Sequence, residues 1–306
     1  MSPPTPLAPG TLNWALILFL GIVWGAAFMG IATALDGYGP WTVTAGRVLI
    51  GAAVLTAVGL LMDQPPWRLG GRKAASFATI IGILAIAAPF ALLSFGLQQV
   101  PSAFAGVAMG AVPLLVLPLV AIFSPEEGIG PRRIAGIALG FVGLILLVGE
   151  GAFAPGGTAD FAGRVACLAA ALCYAVGSVL TRRAPPMPPI AFAGATLAVA
   201  AALLVPVALI LEGMPRDFPA LPTLGLLYIA IGPTALASVI RVRVITTAGS
   251  MFMSLTSYMV PVWAVIFGIT LMGEALPRGL FVALGLILAG IALSQWRAFA
   301  GLLRRR

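Results

Sequence analysis

Long runs of apolar residues, each about the length of a membrane span, follow one another along this chain. A helix needs about 20 apolar residues to cross roughly 30 Å of hydrocarbon. Ten runs reach or approach that length: Thr11–Leu35, Pro40–Met62, Ala74–Leu97, Pro101–Phe123, Arg133–Val148, Phe161–Leu180, Pro189–Leu211, Leu221–Arg241, Thr247–Met272 and Pro277–Trp296. The fifth is the shortest, and the eighth has no sharp end. Alternating ten-residue strands are absent. Backbone groups in lipid must pair within their own segment, so these runs predict helices. The pattern therefore reads as an all-α polytopic membrane protein of ten transmembrane helices with short connections.

Composition agrees with this. Apolar residues make up 61% of the chain and charged residues 8%, against roughly a quarter charged in soluble domains. Lipid must be the solvent. The net charge of +8 does not point to nucleic acid, because the basic residues sit between apolar runs without interleaved aromatics. Their distribution instead gives an orientation. The termini and the loops after spans 2, 4, 6 and 8 hold Arg68, Arg72, Lys73, Arg132, Arg133, Arg182, Arg183, Arg241, Arg243, Arg297, Arg304, Arg305 and Arg306, which is 13 of 17. The opposite loops hold Arg164, Arg216 and Arg278, and Arg47 lies inside span 2. This bias predicts both termini in the cytoplasm. The Ala-, Gly- and Pro-rich composition suits a bacterial inner membrane. The N-terminus lacks a basic n-region and a cleavage site, so span 1 is read as retained.

Catalytic chemistry is poorly provided for. There is no His and no acidic residue near a span centre, which disfavours an intramembrane enzyme. Cys167 and Cys173 lie about 9 Å apart along one helix, beyond the ~7 Å a disulfide tolerates between Cα atoms. They read as free thiols. No metal spacing, GxxxxGK or other cofactor motif occurs, so no metal, cofactor or ATP drive is expected.

The chain repeats itself. Pro113 and Glu126 recur as Pro261 and Glu274, each pair 148 residues apart. Gly143 and Gly290 correspond at 147, and Trp24 and Tyr174 at 150. Two five-helix repeats are expected, residues 1–150 and 151–306. Five is odd, so the second copy is inverted, as in many secondary transporters.

These residues carry a resemblance. Trp24-Gly25-Ala26-Ala27-Phe28 in span 1, Arg47 in span 2, the Pro113/Glu126 and Pro261/Gly273-Glu274 patterns and the Gly-rich spans 5 and 10 resemble the EamA-type members of the drug/metabolite transporter superfamily. Within that group the chain looks like the YddG-type aromatic amino-acid exporters. The resemblance implies a basket of spans 1–4 and 6–9 around a central cavity, with spans 5 and 10 outside.

Candidate residues follow from position and type. Arg47 is the one charge well inside a span, roughly 10 Å below the membrane edge. It could hold a substrate carboxylate, snorkel outward or cap backbone carbonyls. Thr196 stands at the corresponding place in the second repeat, so the charge is not duplicated. Trp24, Phe28, Phe95, Met109, Tyr174 and Tyr258 could form an adaptable apolar wall, with hydroxyls from Ser178, Thr234 and Ser254 orienting a ligand. Ser94 and Ser257 belong to the same group of polar candidates. Pro89, Pro113, Pro233 and Pro261, on spans 3, 4, 8 and 9, are candidate hinges or static kinks, and Pro118 and Pro206 are further in-span prolines. Glu126 and Glu274 read as helix-end residues paired with Arg132 or Arg133 and with Arg278, or else as proton carriers. The GxxxG pairs Gly21/Gly25, Gly106/Gly110 and Gly136/Gly140 read as packing devices, compatible with a monomer or weak dimer.

The expected activity is alternating-access export of aromatic or hydrophobic amino acids and related metabolites across the inner membrane. A small-molecule substrate and the lipid bilayer are the expected partners. Other metabolites, drugs and lipid precursors are alternative cargoes.

Overall fold

The computed structural model describes residues 10–123, 130–149 and 158–296. Ten spans follow in chain order. They are α1 (Thr11–Leu35), α2 (Pro40–Leu61), α3 (Arg72–Gly96), α4 (Ser102–Gly110 continued by Val112–Phe123) and α5 (Pro131–Gly149). Then come α6 (Thr158–Arg183), α7 (Pro189–Leu211), α8 (Ala220–Ala248), α9 (Ser250–Met253 continued by Thr256–Thr270) and α10 (Arg278–Ser294). Eight segments are long and apolar enough to cross a membrane, and Thr256–Thr270 and Arg278–Ser294 are shorter apolar helices. The protein is thus a ten-helix polytopic membrane protein. The largest departure from the predicted spans is α8, which continues past Arg241 to Ala248. It stops at Gly249, whose φ of 91° leaves the helical region and lets the chain turn directly into α9.

Four helices are irregular, and prolines explain most of it. In α3 the turn Gly82–Ala87 is a π-helix. Pro89 follows it, has no N–H to give the carbonyl four residues back, and crowds that carbonyl with its ring. The preceding turn widens in response. In α8 the π-helical turn is Ala230–Leu236, with Pro233 inside it. The two wide turns begin 148 residues apart, the spacing of the sequence repeat. In α4 the helix breaks at Ala111, just before Pro113. In α9 the break falls at Ser254–Leu255, and Pro261 lies further on, inside continuous helix.

Small residues set the helix contacts. A side chain at Gly25 would meet Trp263 and the backbone of Val260, and one at Gly106 would meet Ala264 and Phe28. Gly110 faces Pro261. Spans α1, α4 and α9 therefore pack nearly backbone to backbone. Gly136 and Gly140 face Gly290 of α10 and Leu114 of α4. All three GxxxG pairs are thus used inside the chain. Helices α5 and α10 pair with each other and reach the rest of the bundle through α4 and α6.

Four apolar clusters result among the described residues, and two of them make up most of the core. The larger joins α1, α3, α4, α5, α6, α9 and α10, with Val43 of α2 and Ile229 of α8, around Phe28, Phe104, Leu114 and Ile287. The smaller joins α2, α3, α7 and α8 around Val48, Leu55, Phe90 and Leu197. Tyr174 packs against both, so it stands where they meet.

Candidate functional site

The boundary between the two cores holds a buried cation. Arg47 on α2 is only 7% exposed. Its Nε donates to Thr234 Oγ1 on α8 at 2.8 Å. Its guanidinium carbon lies 3.7 Å from the centroid of the Phe90 ring on α3, a close cation–π contact. Tyr174 of α6 and Tyr228 of α8 lie within electrostatic reach. Among the described residues the ion pairs are Arg68 with Asp63 and Arg164 with Asp160, and neither involves Arg47. Its terminal nitrogens make no protein hydrogen bond there. A cation taken out of water without a carboxylate partner is costly. Here the only compensation is one hydroxyl and a set of aromatic rings.

The anchoring hydroxyl depends on the wide turn of α8. Pro233 brings no N–H to the Ile229 carbonyl. Thr234 O–H donates to that carbonyl instead, at 2.7 Å, and is thereby oriented to accept from Arg47. Helix α1 braces this turn and the residues just before it. The Trp24 indole N–H donates to Pro233 O at 3.0 Å, and the Tyr228 hydroxyl donates to Val23 O at 2.9 Å. A Thr234→Val variant removes the acceptor for Arg47 and the donor to Ile229 while keeping the shape. It is expected to cost about 1 to 2 kcal/mol, read as a lowered thermal midpoint of the purified protein.

The sequence candidates fall into three groups. Arg47, Thr234, Tyr174 and Trp24 come together at this junction. Phe28 is core, 6% exposed against Gly106, and Met109 and Tyr258 are partly buried against the same core. Ser254 lies at the α9 break, its Oγ 3.4 Å from Gln295 Oε1. Phe95 is 45% exposed, and the exposed Ser178 returns its hydroxyl to Tyr174 O at 2.8 Å. Neither belongs to the Arg47 group. Of the hinge candidates, Pro89, Pro113 and Pro233 adjoin helix irregularities and Pro261 does not.

Phe90 and Tyr228 were not among the sequence candidates. The available signals were weak: Phe90 follows Pro89, and Tyr228 lies five residues before Pro233. Glu274 is expected from sequence proximity to pair with Arg278 or to carry a proton. It instead accepts from the backbone N–H groups of Ser102 and Ala103, at 2.7 and 3.1 Å. Those are free donors at the start of α4, and a carboxylate there is favoured by the helix dipole. Glu126 lies outside the described residues.

The EamA-like transporter family model matches this chain twice, over residues 12–149 and 161–296. The chain belongs to the EamA-like transporter family. Three relatives match it over most of both chains. The inner membrane transporter YedA of Escherichia coli is 29% identical over 90% of this chain and 87% of its own. PecM of Dickeya dadantii is 26% identical over 89% of each. The aromatic amino acid exporter YddG of Ancylobacter novellus is 28% identical over 81% of this chain and 83% of its own. A solved crystal structure superposes with a TM-score of 0.67 over 96% of this chain and 100% of that one, at 23% identity. It shares the fold. The protein is thus an EamA-family membrane transporter, and that membership points away from catalysis.

Proposed function

We propose that this EamA-family transporter exports aromatic or other hydrophobic amino acids by alternating access. Arg47 would take the substrate carboxylate. The carrying observation is a buried guanidinium anchored through Nε alone and covered on one face by Phe90. That leaves its terminal N–H groups for a bidentate carboxylate, the geometry in which Arg binds best. Phe90, Tyr174 and Tyr228 supply aromatic surface beside it. The name of the Ancylobacter novellus relative supports the same cargo class.

The membrane placement in this reading is the bacterial inner membrane, with the arginine-rich end and both termini cytoplasmic. The halves 1–150 and 151–306 are taken as inverted repeats, and the carrier as a monomer or weak dimer. By sequence position all nine acidic residues lie in loops or near span ends. Proton-driven carriers commonly use a buried carboxylate or His. The protein is therefore read as a facilitator or exchanger.

Counterflow in proteoliposomes tests both parts. Unlabelled amino acids are preloaded singly, and entry of labelled Phe or Trp is followed with and without a pH gradient. Accumulation that depends on the preloaded amino acid is expected, with less than about a twofold change on imposing the gradient, since the Arg47 group of Thr234 and aromatic rings includes no carboxylate or His. A flat response across all amino acids from correctly inserted protein would defeat the cargo assignment. A steep rise with the gradient, lost in Glu274→Gln, would defeat the facilitator reading.

A further inference from the structure

Two helix starts at opposite ends of the bundle are held by side chains from distant loops. At the arginine-poor end, α2 begins at Pro40 with no side-chain cap of its own. Glu212, just past α7, supplies one. Its carboxylate accepts from Trp41 N–H at 3.0 Å, Thr42 N–H at 2.8 Å and the Thr42 hydroxyl at 2.7 Å. It is seated against Gly39, where an added Cβ would collide with the carboxylate. At the arginine-rich end, α7 begins at Pro189 and likewise has no cap of its own. Gln64, just past α2, accepts from Ile190 N–H at 3.2 Å.

The two contacts are copies of each other. Gln64 and Glu212 are 148 residues apart, and so are Thr42 and Ile190. That is also the separation of the two wide turns. Each contact joins the loop after one helix of the α2–α7 pair to the start of the other, and these two helices pack along their length. Opening the bundle at either end between them must break the contact at that end. The contacts differ in strength. Three hydrogen bonds to a carboxylate at a helix N-terminus oppose one bond to a neutral amide, and bonds to charged groups are about twice as strong.

We propose that Glu212 and Gln64 are repeat-related latches of unequal strength. The stronger one makes the arginine-poor end harder to open, so the resting carrier presents the Arg47 site toward the arginine-rich end. This rests on the alternating-access reading and adds a direction to it. With the arginine-rich end in the cytoplasm, the empty carrier waits open to the compartment from which an exporter loads.

The test needs no substrate. Val43 and Ala191 directly follow the latched residues Thr42 and Ile190 in the chain, are likewise 148 residues apart, and are both 0% exposed. Val43→Cys and Ala191→Cys are made singly in a Cys167→Ala/Cys173→Ala background. The protein is placed in nanodiscs, where both ends are open to reagent. Maleimide labelling rates are then compared. The Ala191→Cys site is expected to label about tenfold faster than the Val43→Cys site, the effect of roughly one charge-assisted bond. Glu212→Gln should raise labelling at the Val43→Cys site and lower it at the Ala191→Cys site. Gln64→Glu, which strengthens the weaker latch, should shift both the same way. A merely structural role for Glu212 would raise both rates together, and that result, or no change in either variant, overturns the proposal. Reciprocal labelling without amino-acid counterflow would leave the latches standing and refute only the cargo.

Discussion

Arg47→Ala is expected to abolish amino-acid counterflow while leaving the protein folded. Removing one member of a buried ion pair normally strands the other charge and destabilises the fold. Here no carboxylate is stranded. Arg47 gives Nε to Thr234 and lies over Phe90, and Thr234 keeps its bond to Ile229 O when the guanidinium is gone. The cost to the fold is one hydrogen bond and some ring contact, about 1 to 2 kcal/mol. The cost to transport is larger. A bidentate carboxylate–guanidinium contact contributes two charge-assisted bonds, and about 3 kcal/mol is roughly a hundredfold in affinity. Arg47→Lys should fall between, with about a tenfold rise in half-saturating substrate, because an ammonium keeps the charge but not the fork. Binding by Arg47→Ala protein at unchanged affinity, measured by scintillation proximity with labelled Trp, would place the carboxylate elsewhere.

The spans were legible in the sequence because a membrane crossing is a length requirement, and apolar length is read directly. The α8 end was not, because Arg241 and Arg243 interrupt the apolar run while the helix continues past them to Gly249. A long Arg stem near a membrane edge lets the head reach water without ending the helix. Arg47 was legible as a lone charge inside a span, and Thr234 as one of a few hydroxyls inside the spans. Phe90 and Tyr228 were not, since an aromatic residue in an all-apolar helix carries no mark of the face it takes. The partner of Glu274 is hidden from the sequence for a different reason. Nearby opposite charge suggested Arg278, yet the strongest donors available were unpaired backbone N–H groups at Ser102 and Ala103, 172 and 171 residues away. Such donors belong to every helix start and are invisible in residue type. The repeat spacing was the better guide: applied to Glu212 it leads directly to Gln64.

The largest effect on stability is expected from Gly290→Leu. A Cβ at Gly290 would lie 2.6 Å from Gly136 O, 2.7 Å from Gly140 N and 2.8 Å from Gly140 Cα. These are backbone atoms of α5, which cannot turn aside as a flexible side chain could. The helices must separate. In a membrane no hydrophobic gain holds them together, because lipid is as apolar as leucine, so close packing is what binds α5 to α10. The expected loss is about 3 kcal/mol, the upper end of overpacking costs, seen as a strongly lowered thermal midpoint. Gly285→Ala on the same helix is the control. Nothing lies within 4 Å of a Cβ there, so it should be neutral or slightly stabilising, as Ala favours helix over Gly. Helices α5 and α10 contribute nothing to the Arg47 group, which α2, α3, α6 and α8 build and α1 braces. Gly290→Leu protein that remains folded at low temperature should therefore transport at close to the normal rate per molecule. A loss of transport at full stability would instead mean that the α5–α10 pair moves with the site during the cycle.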